Sequence, residues 1–385
     1  VDLAAAVSGR TALGLSVFDA ALARLTEQYA EGHRIVVSIS GGKDSTCCAE
    51  MAIAAATATG RLPAELVIRD EEIMFPGTYE YVERLAARPE VSMTWLLACQ
   101  PVINAFDREQ PYFWVMDPLL DPDQWVRQPP EWVTRIEELN IQAIVNPDLF
   151  PPGEGRELRA ILGLRAEESR ARMMGLHSSG GHVTKPNGWG VRNVRPIYDW
   201  TDADVWKAIR DNGWDYSDAY NVMHRLGLRA RELRTSPPTM NPAGGDTLRK
   251  VAAVAWPSWW NRVCARLPSV RTYAQYGKRA VMPDRRTDET WEQCYQRTCI
   301  DGAPRWIAER ADKTRQLTIA RHARHSTAAL PDAGKCLQCG ILGSWRSLAL
   351  SMYLGDPFSL RTPLPYVEPE YFRPGAGYWN GTPSF

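Results

Sequence analysis

The sequence predicts an α/β fold: a doubly wound, mainly parallel sheet followed by a mainly helical C-terminal region. Three observations predict it. The β-branched run Ile35-Val36-Val37-Ser38-Ile39 reads as a buried parallel strand. Strand-like and helix-like segments alternate from there to about residue 235, the pattern of a parallel sheet built through crossover helices. Beyond that point the alternation stops and helical stretches take over.

The elements follow in order. Leu15, Phe18, Leu22, Leu25 and Tyr29 share one helical face and predict a packing helix before the first strand. After that strand come two adjacent glycines, Gly41 and Gly42, and an alanine-rich helix from about Thr46. A second strand is expected at Glu65 to Arg69, then the acidic loop Asp70-Glu71-Glu72 and a helix entered through Pro76, because proline suits a first helical turn. A third strand is expected at Ser92 to Ala98. Residues 107 to 157 are rich in proline and tryptophan and read as an inserted substrate-side loop region. The sheet resumes at about Ala160 to Leu164. A capped helix starts at Thr201, with Asp204 three residues on and Val205, Trp206 and Ile209 as its buried stripe. Helices are expected at Leu248 to Leu267 and Ala303 to His325, and a proline-rich tail follows Leu360. The domains implied are 1–235, carrying the insert at about 107–157, and 236–385.

Composition narrows the class. A chain of 385 residues can bury substantial cores without disulfide staples. Its 45 basic and 45 acidic residues cancel, which argues against a surface built wholly to coat nucleic acid or an anionic membrane. No apolar run is long enough to cross a bilayer, and the first residues carry no signal-peptide pattern, so no membrane partner and a cytoplasmic location are expected. Eight cysteines are few for a secreted disulfide scaffold of this length, and fifteen tryptophans promise large aromatic core contributions.

The loop Ser40-Gly41-Gly42-Lys43-Asp44-Ser45 carries the first chemistry. Two glycines between a buried strand and a helix let several backbone N–H groups face one concavity, which is a phosphate nest. The helix N-terminus adds roughly 0.3–1 kcal/mol per exposed anion. Ser40 and Ser45 can donate hydroxyl hydrogen bonds, and Lys43 supplies a mobile positive charge. Asp44 either caps the helix or holds magnesium. The loop is neither a Walker loop nor a Rossmann fingerprint.

The loop resembles the PP-loop of the ATP pyrophosphatase superfamily, in the branch typified by phosphoadenosine phosphosulfate (PAPS) reductase. Three further segments carry that resemblance in the right order. Asp70-Glu71-Glu72-Ile73-Met74-Phe75-Pro76-Gly77-Thr78 resembles the family's Asp-Thr-Gly and Phe-Pro-x-Thr motif, with Glu71-Glu72 in place of Thr-Gly. Gly163-Leu164-Arg165-Ala166-Glu167-Glu168-Ser169-Arg170, followed by Arg172, resembles Gly-x-Arg-x-x-Glu-Ser. Arg195 to Trp200 and the Asp204-Val205-Trp206 helix resemble its Pro-x-x-x-Trp and Asp-Val-Trp segment.

The resemblance covers about residues 15 to 235. It implies an adenine nucleotide, ATP or PAPS, held by Ser40, Gly41, Gly42, Lys43, Asp44, Ser45, Asp70, Glu71, Gly163, Arg165, Glu168, Ser169 and Arg172. Lys43, Asp44 and Arg165 are the expected catalytic groups. Three carboxylates beside a polyphosphate would repel it without a counter-ion, so Mg²⁺ is expected with them. Trp200 and Trp206 read as core residues rather than base-stacking platforms.

Departures from the family limit what carries over. The Cys-Gly-x-His nucleophile of the true reductases is absent, and Cys47-Cys48 falls inside the loop's helix, where it reads as packing. Tyr220 to Gly227 with Arg234-Thr235-Ser236-Pro237-Pro238 resembles the immunoglobulin-binding regulator subgroup carried by phages and prophages, which implies a ParB-like protein partner. Nucleic acid, as in the neighbouring DNA phosphorothioation branch, is a further implied partner.

Cys336-Leu337-Gln338-Cys339 between Gly334 and Gly340 is a tight knuckle able to aim two thiolates at one ion. Cys294 and Cys299 are the nearest second pair. The set fits a structural Zn²⁺, a 4Fe–4S iron–sulfur cluster, or buried free thiols.

The activity implied by the resemblance is attack of an acceptor on the α-phosphorus of ATP with release of pyrophosphate. The acceptor substrate is not legible in the sequence. A PAPS sulfotransferase or reductase, and a nucleotide-sensing regulatory subunit, are the alternative readings.

Overall fold

The computed structural model describes residues 14–137, 144–178, 181–240, 245, 247–340, 343–357, 359, 361–362, 364–365 and 367–373. The chain divides into two compact units, one formed by Val1–Cys99 with Arg127–Ser236 and the other by Gln100–Val126 with Pro237–Phe385. The Pro/Trp-rich stretch is thus shared between them: 107–126 cluster with the later half of the chain and 127–157 with the sheet.

The first unit opens with α1 (Val17–Ala30), β1 (Arg34–Ile39), α2 (Lys43–Ala58), β2 (Ala64–Arg69), α3 (Thr78–Ala86) and β3 (Val91–Leu97). In the second unit, β4 (Pro101–Ile103) and β5 (Tyr112–Trp114) form an antiparallel pair. The first unit continues with β6 (Thr134–Arg135), β7 (Leu158–Ile161), α4 (Arg170–Ser178), β8 (Arg192–Val194), α5 (Asp202–Asn212) and α6 (Ala219–Arg225). Its sheet has six strands in the order β6-β3-β2-β1-β7-β8, and every pairing is parallel. The chain builds outward from β1 through β2 and β3, then returns to place β7 on β1's other side. The strand order therefore reverses between β1 and β7, where the loops leaving the two strands diverge and a crevice forms.

Alternation along the strands fills both faces of this sheet. Ile35, Val37 and Ile39 of β1, with Leu66 and Ile68 of β2, pack against Leu25, Met51, Tyr81, Val82, Val205 and Ile209 from the flanking helices. Val36, Val67, Leu96, Leu158 and Ala160 turn to the other face and meet Val145, Phe150 and Val191. Each such fully buried aliphatic side chain contributes about 1.5–3 kcal/mol. This two-sided burial explains why β1 reads as an unbroken apolar run.

Several boundaries differ from the sequence expectation. The helix expected from Thr46 begins at Lys43, so Lys43, Asp44 and Ser45 form its first turn. Pro76 lies two residues before α3, whose N-cap is Gly77 at φ +93°. β7 starts at Leu158 and ends at Ile161, leaving Leu162 to Leu164 to the loop beyond it. Leu15 is exposed and lies before α1, which starts at Val17 on a Ser16 cap.

In the second unit, α7 (Pro257–Arg266), α8 (Pro268–Tyr276), α9 (Trp291–Tyr295), α10 (Arg305–Ala323) and α11 (Trp345–Met352) follow in chain order. One helix from Leu248 to Leu267 is not formed. A π-helical turn, Leu248–Ala252, leads into Ala253–Ala255, and Trp256 breaks the chain before α7 starts on Pro257. Pro257 has no N–H to continue the earlier helix, but its fixed φ suits a first turn. A second π-helical stretch, Gln296–Asp301, follows α9. The tail expected after Leu360 lies largely outside the described residues.

Candidate phosphate site

The loop after β1 is held open by close packing. Gly41 sits at φ +70°, and a Cβ there would stand 2.5 Å from Thr78 Cγ2 on the first turn of α3. Glycine is thus required twice over, for its backbone angle and for its lack of a side chain. Above Gly42 the space is rimmed by hydroxyls: its Cβ position lies 3.3 Å from Ser40 Oγ, 3.4 Å from Thr235 Oγ1 and 3.5 Å from Tyr220 Oη. Ser45 ties the turn together. Its Oγ donates to the Gly42 carbonyl at 2.9 Å and accepts from the Ser40 amide at 3.2 Å.

Gly42 is the N-cap of α2 and has no side chain to cap it. The Lys43 amide donates to Tyr220 Oη at 2.9 Å, and that phenol is held between Thr235 Oγ1 at 3.1 Å and the Trp206 ring, which meets it edge-on at 5.1 Å. Among the described residues, the amides of Gly41, Gly42, Asp44 and Ser45 have no protein acceptor. The first amides of an α-helix have no partner inside it, so they need one from outside.

The loop after β7 comes from the strand beside β1. Gly163 packs so closely on the helix start that a Cβ would lie 2.8 Å from both Asp44 C and Ser45 N. Two residues on, buried Arg165 donates through Nε to Asp44 Oδ1, and its other nitrogens reach Glu167 at 3.0 Å and Asp202 at 3.3 Å. Lys43 Nζ meets Asp44 Oδ2 at 3.0 Å and Asp202 Oδ1 at 3.1 Å. Burial opposes the Lys43 ammonium, but Asp44, Tyr220 and Asp202 more than offset it, and its pKa is raised. Lys43 is therefore charged at neutral pH. Asp44 does not cap the helix; it lies between a lysine and an arginine.

A cavity of about 120 Å³ opens beside this cluster, lined by Leu164, Arg165, Arg172, Gly175, Leu176 and Arg195. Burial pulls the Arg172 guanidinium below its ordinary pKa, and the nearby positive charges of Arg234 and Arg165 act in the same direction, against Asp44. Burial also lowers Arg195. Crowded, partly desolvated guanidiniums favour an anion among them. Glu168 pairs with Arg172 and accepts the Arg165 amide at 3.3 Å, while Ser169 Oγ accepts the Arg172 amide at 3.2 Å. These two residues position the arginine loop.

The acidic loop is organised differently from the sequence expectation. Asp70 is fully buried and paired with Arg127, and it also accepts from Trp95 Nε1 at 3.0 Å. Glu71 pairs with Arg69, and Arg127 stacks over the Tyr79 ring at 3.8 Å. With arginines on Asp70 and Glu71, mutual repulsion no longer calls for a metal there. Glu71 Oε2 is a buried oxygen without a hydrogen bond among the described residues. Glu72 stands at φ +58°, the left-handed region, at the position where the resembling motif carries glycine.

Trp200 is core, 1% exposed, and the thiols of Cys47 and Cys48 are fully buried, which raises both pKa values. Among the described residues, the four expected metal cysteines do not form one ligand group. Cys336 and Cys339 group with His322, with all three ligand atoms within 4.8 Å of one another. Cys294 and Cys299 are buried elsewhere in the second unit; the Cys299 thiol points at the Ala349 carbonyl, 3.8 Å away. Burial keeps both pKa values raised, that of Cys299 to about 11.

Sequence reasoning missed Tyr220, Thr235, Asp202 and Arg195 as parts of the site. Tyr220, Thr235 and Arg195 stood in quoted motif segments without a role. Asp202 stood beside a helix cap, where an acid is ordinary.

No protein-family model matches the chain. A curated relative, the uncharacterized protein YbdN of Escherichia coli strain K12, is 27% identical over 334 residues, covering 77% of this chain and 78% of that protein. Among solved structures, the FMN adenylyltransferase of Candida glabrata overlaps 54% of this chain at 13% identity with a TM-score of 0.36; the chain spans 58% of that structure's length. The PAPS reductase of Candida auris, solved as a phosphate complex, overlaps 56% of this chain and 86% of its own at 16% identity with a TM-score of 0.29. Overlaps this loose carry no argument about the site.

Proposed function

We propose that the first unit binds an adenine nucleoside triphosphate with its phosphates on the Gly41–Ser45 turn, and that an acceptor attacks the α-phosphorus there. One observation carries this reading: the amides of Gly41, Gly42, Asp44 and Ser45, without a protein acceptor among the described residues, stand at the reversal point of a parallel sheet beside a lysine and an arginine-lined cavity. The acceptor oxygen or nitrogen forms the new bond to the α-phosphorus, the bond to the bridging oxygen breaks, and pyrophosphate leaves with that electron pair. An adenylated acceptor remains. The amides, Lys43 and the arginines neutralise the charge that grows on the departing phosphates, so no protein nucleophile is required.

In this reading Asp44 holds Lys43 and Arg165 ready and gives up part of each contact when the triphosphate enters. Magnesium arrives on the triphosphate, as is usual for an ion that keeps most of its waters. Asp44, on the first turn of α2, is the carboxylate that would hold it.

The test is titration of Mg·ATP, together with pyrophosphate release, in wild type, Lys43→Ala and Asp44→Ala. Loss of one such preorganised group is expected to lower release roughly 10²-fold. Release and affinity unchanged in both variants would contradict the proposal. Competition by PAPS distinguishes the sulfonucleotide form of the same reading.

A further inference from the structure

The second unit holds a built S₂N ligand set that owes nothing to the phosphate site. Cys336 and Cys339 stand on a tight turn in which the Gly340 amide closes onto the Cys336 carbonyl at 2.9 Å. Gly334 and Gly340, on either side, both adopt positive φ, +81° and +66°. The exposed Leu337 forms the tip of the turn, so both thiols can face the protein. Ser326 Oγ lies 3.6 Å from the Cys336 sulfur.

His322 enters from the last turn of α10, and it is already oriented. Its Nε2 faces the Ala328 carbonyl at 3.0 Å, which makes Nε2 the protonated nitrogen and leaves the Nδ1 lone pair toward Cys339 Sγ, 3.7 Å away. A carbonyl behind the non-ligating nitrogen is the usual support of a metal-bound imidazole. The loop between helix and knuckle is fixed as well: Gln338 Oε1 accepts from Ser326 Oγ at 2.7 Å and from the Ala328 amide at 3.1 Å. His322 and Cys336 are each 5% exposed. For zinc bonds of about 2.3 Å to sulfur and 2.0–2.1 Å to nitrogen at a tetrahedral angle, the S···N separation works out at roughly 3.6 Å. The observed 3.7 Å matches.

We infer that His322, Cys336 and Cys339 bind one Zn²⁺, with solvent water as the fourth donor, fastening the end of α10 to the cysteine knuckle. Two thiolates and a neutral imidazole balance the ion's charge. Cys294 and Cys299 take no part.

The experiment measures metal content and the Co²⁺-substituted spectrum of the full chain. Purified wild type is expected to carry roughly one zinc per chain, and the cobalt form to show tetrahedral d–d bands with thiolate charge transfer. His322→Ala and Cys339→Ser should weaken zinc affinity by at least roughly a hundredfold. Cys294→Ala and Cys299→Ala should keep zinc at the wild-type level. No stoichiometric zinc, octahedral cobalt bands in folded wild type, or iron with inorganic sulfide would overturn the inference. So would zinc that survives His322→Ala but is lost in Cys294→Ala. The wild-type cobalt spectrum decides even where a variant fails to fold.

Discussion

Replacing Gly163 by alanine tests how the two loops of the phosphate site depend on each other. The added methyl would stand 2.8 Å from Asp44 C and Ser45 N and 3.0 Å from Asp44 O, all of them main-chain atoms. Ordinary carbon contacts begin near 3.5 Å, so the loop after β7 must withdraw from the helix start by roughly 0.7 Å. No flexible side chain can absorb that shift. Overpacking of this kind costs about 1–3 kcal/mol. The same withdrawal carries Arg165 away from Asp44, and a displacement approaching 1 Å at a reacting site can lower rates on the order of 10²-fold. Urea denaturation should show the stability loss, and calorimetric titration of Mg·ATP should show weakened binding in the fraction that stays folded. Gly188→Ala is the control, because nothing lies within 4 Å of its Cβ position; its stability should stay within about 0.5 kcal/mol of wild type. Wild-type stability and affinity in Gly163→Ala would refute the close approach of the two loops.

Three further outcomes follow. Asp70→Asn leaves Arg127 without its buried counter-charge and should cost about 3 kcal/mol or more by urea denaturation; a loss within experimental error would show that the pair is not formed. Arg297 and the Arg286 amide hold the Glu289 carboxyl down at about 2. A depressed folded-state pKa means that this stabilisation is complete above the ordinary glutamate range and is lost as pH falls toward 2. The gap in urea midpoint between wild type and Glu289→Gln should therefore narrow from about pH 5 to about pH 3, and a gap that widens on acidification would contradict the ion pair. Cys47 and Cys48, buried with raised pKa values, should resist alkylation at neutral pH until the protein is denatured. Rapid native labelling at either position would show that α2 is not packed as described.

What could be read from the sequence follows the range of the interactions involved. β1, the glycine turn and α2 were legible because strand pattern, turn and helix are neighbours in the chain. The start of α2 was placed three residues late because the polar residues Lys43, Asp44 and Ser45 look like loop, although as a first turn they need no apolar stripe. The contact of Tyr220 with the Lys43 amide spans 177 residues, and no local pattern announces it. The Pro/Trp-rich stretch reads as an insert from its composition, but its division between the two units depends on which distant residues it meets. The knuckle was legible from its spacing. Its partner was not, because His322 lies on a helix well upstream with no motif spacing, whereas Cys294 and Cys299, which stand out by their spacing, are buried outside that group.

The most direct test of the central claim is a crystal structure of the full chain with Mg²⁺ and a non-hydrolysable ATP analogue. The account predicts phosphate oxygens within hydrogen-bonding distance of the amides of Gly41, Gly42, Asp44 and Ser45, with Lys43 and Arg165 turned toward them. A nucleotide bound elsewhere, with those amides making no phosphate contact, would contradict it.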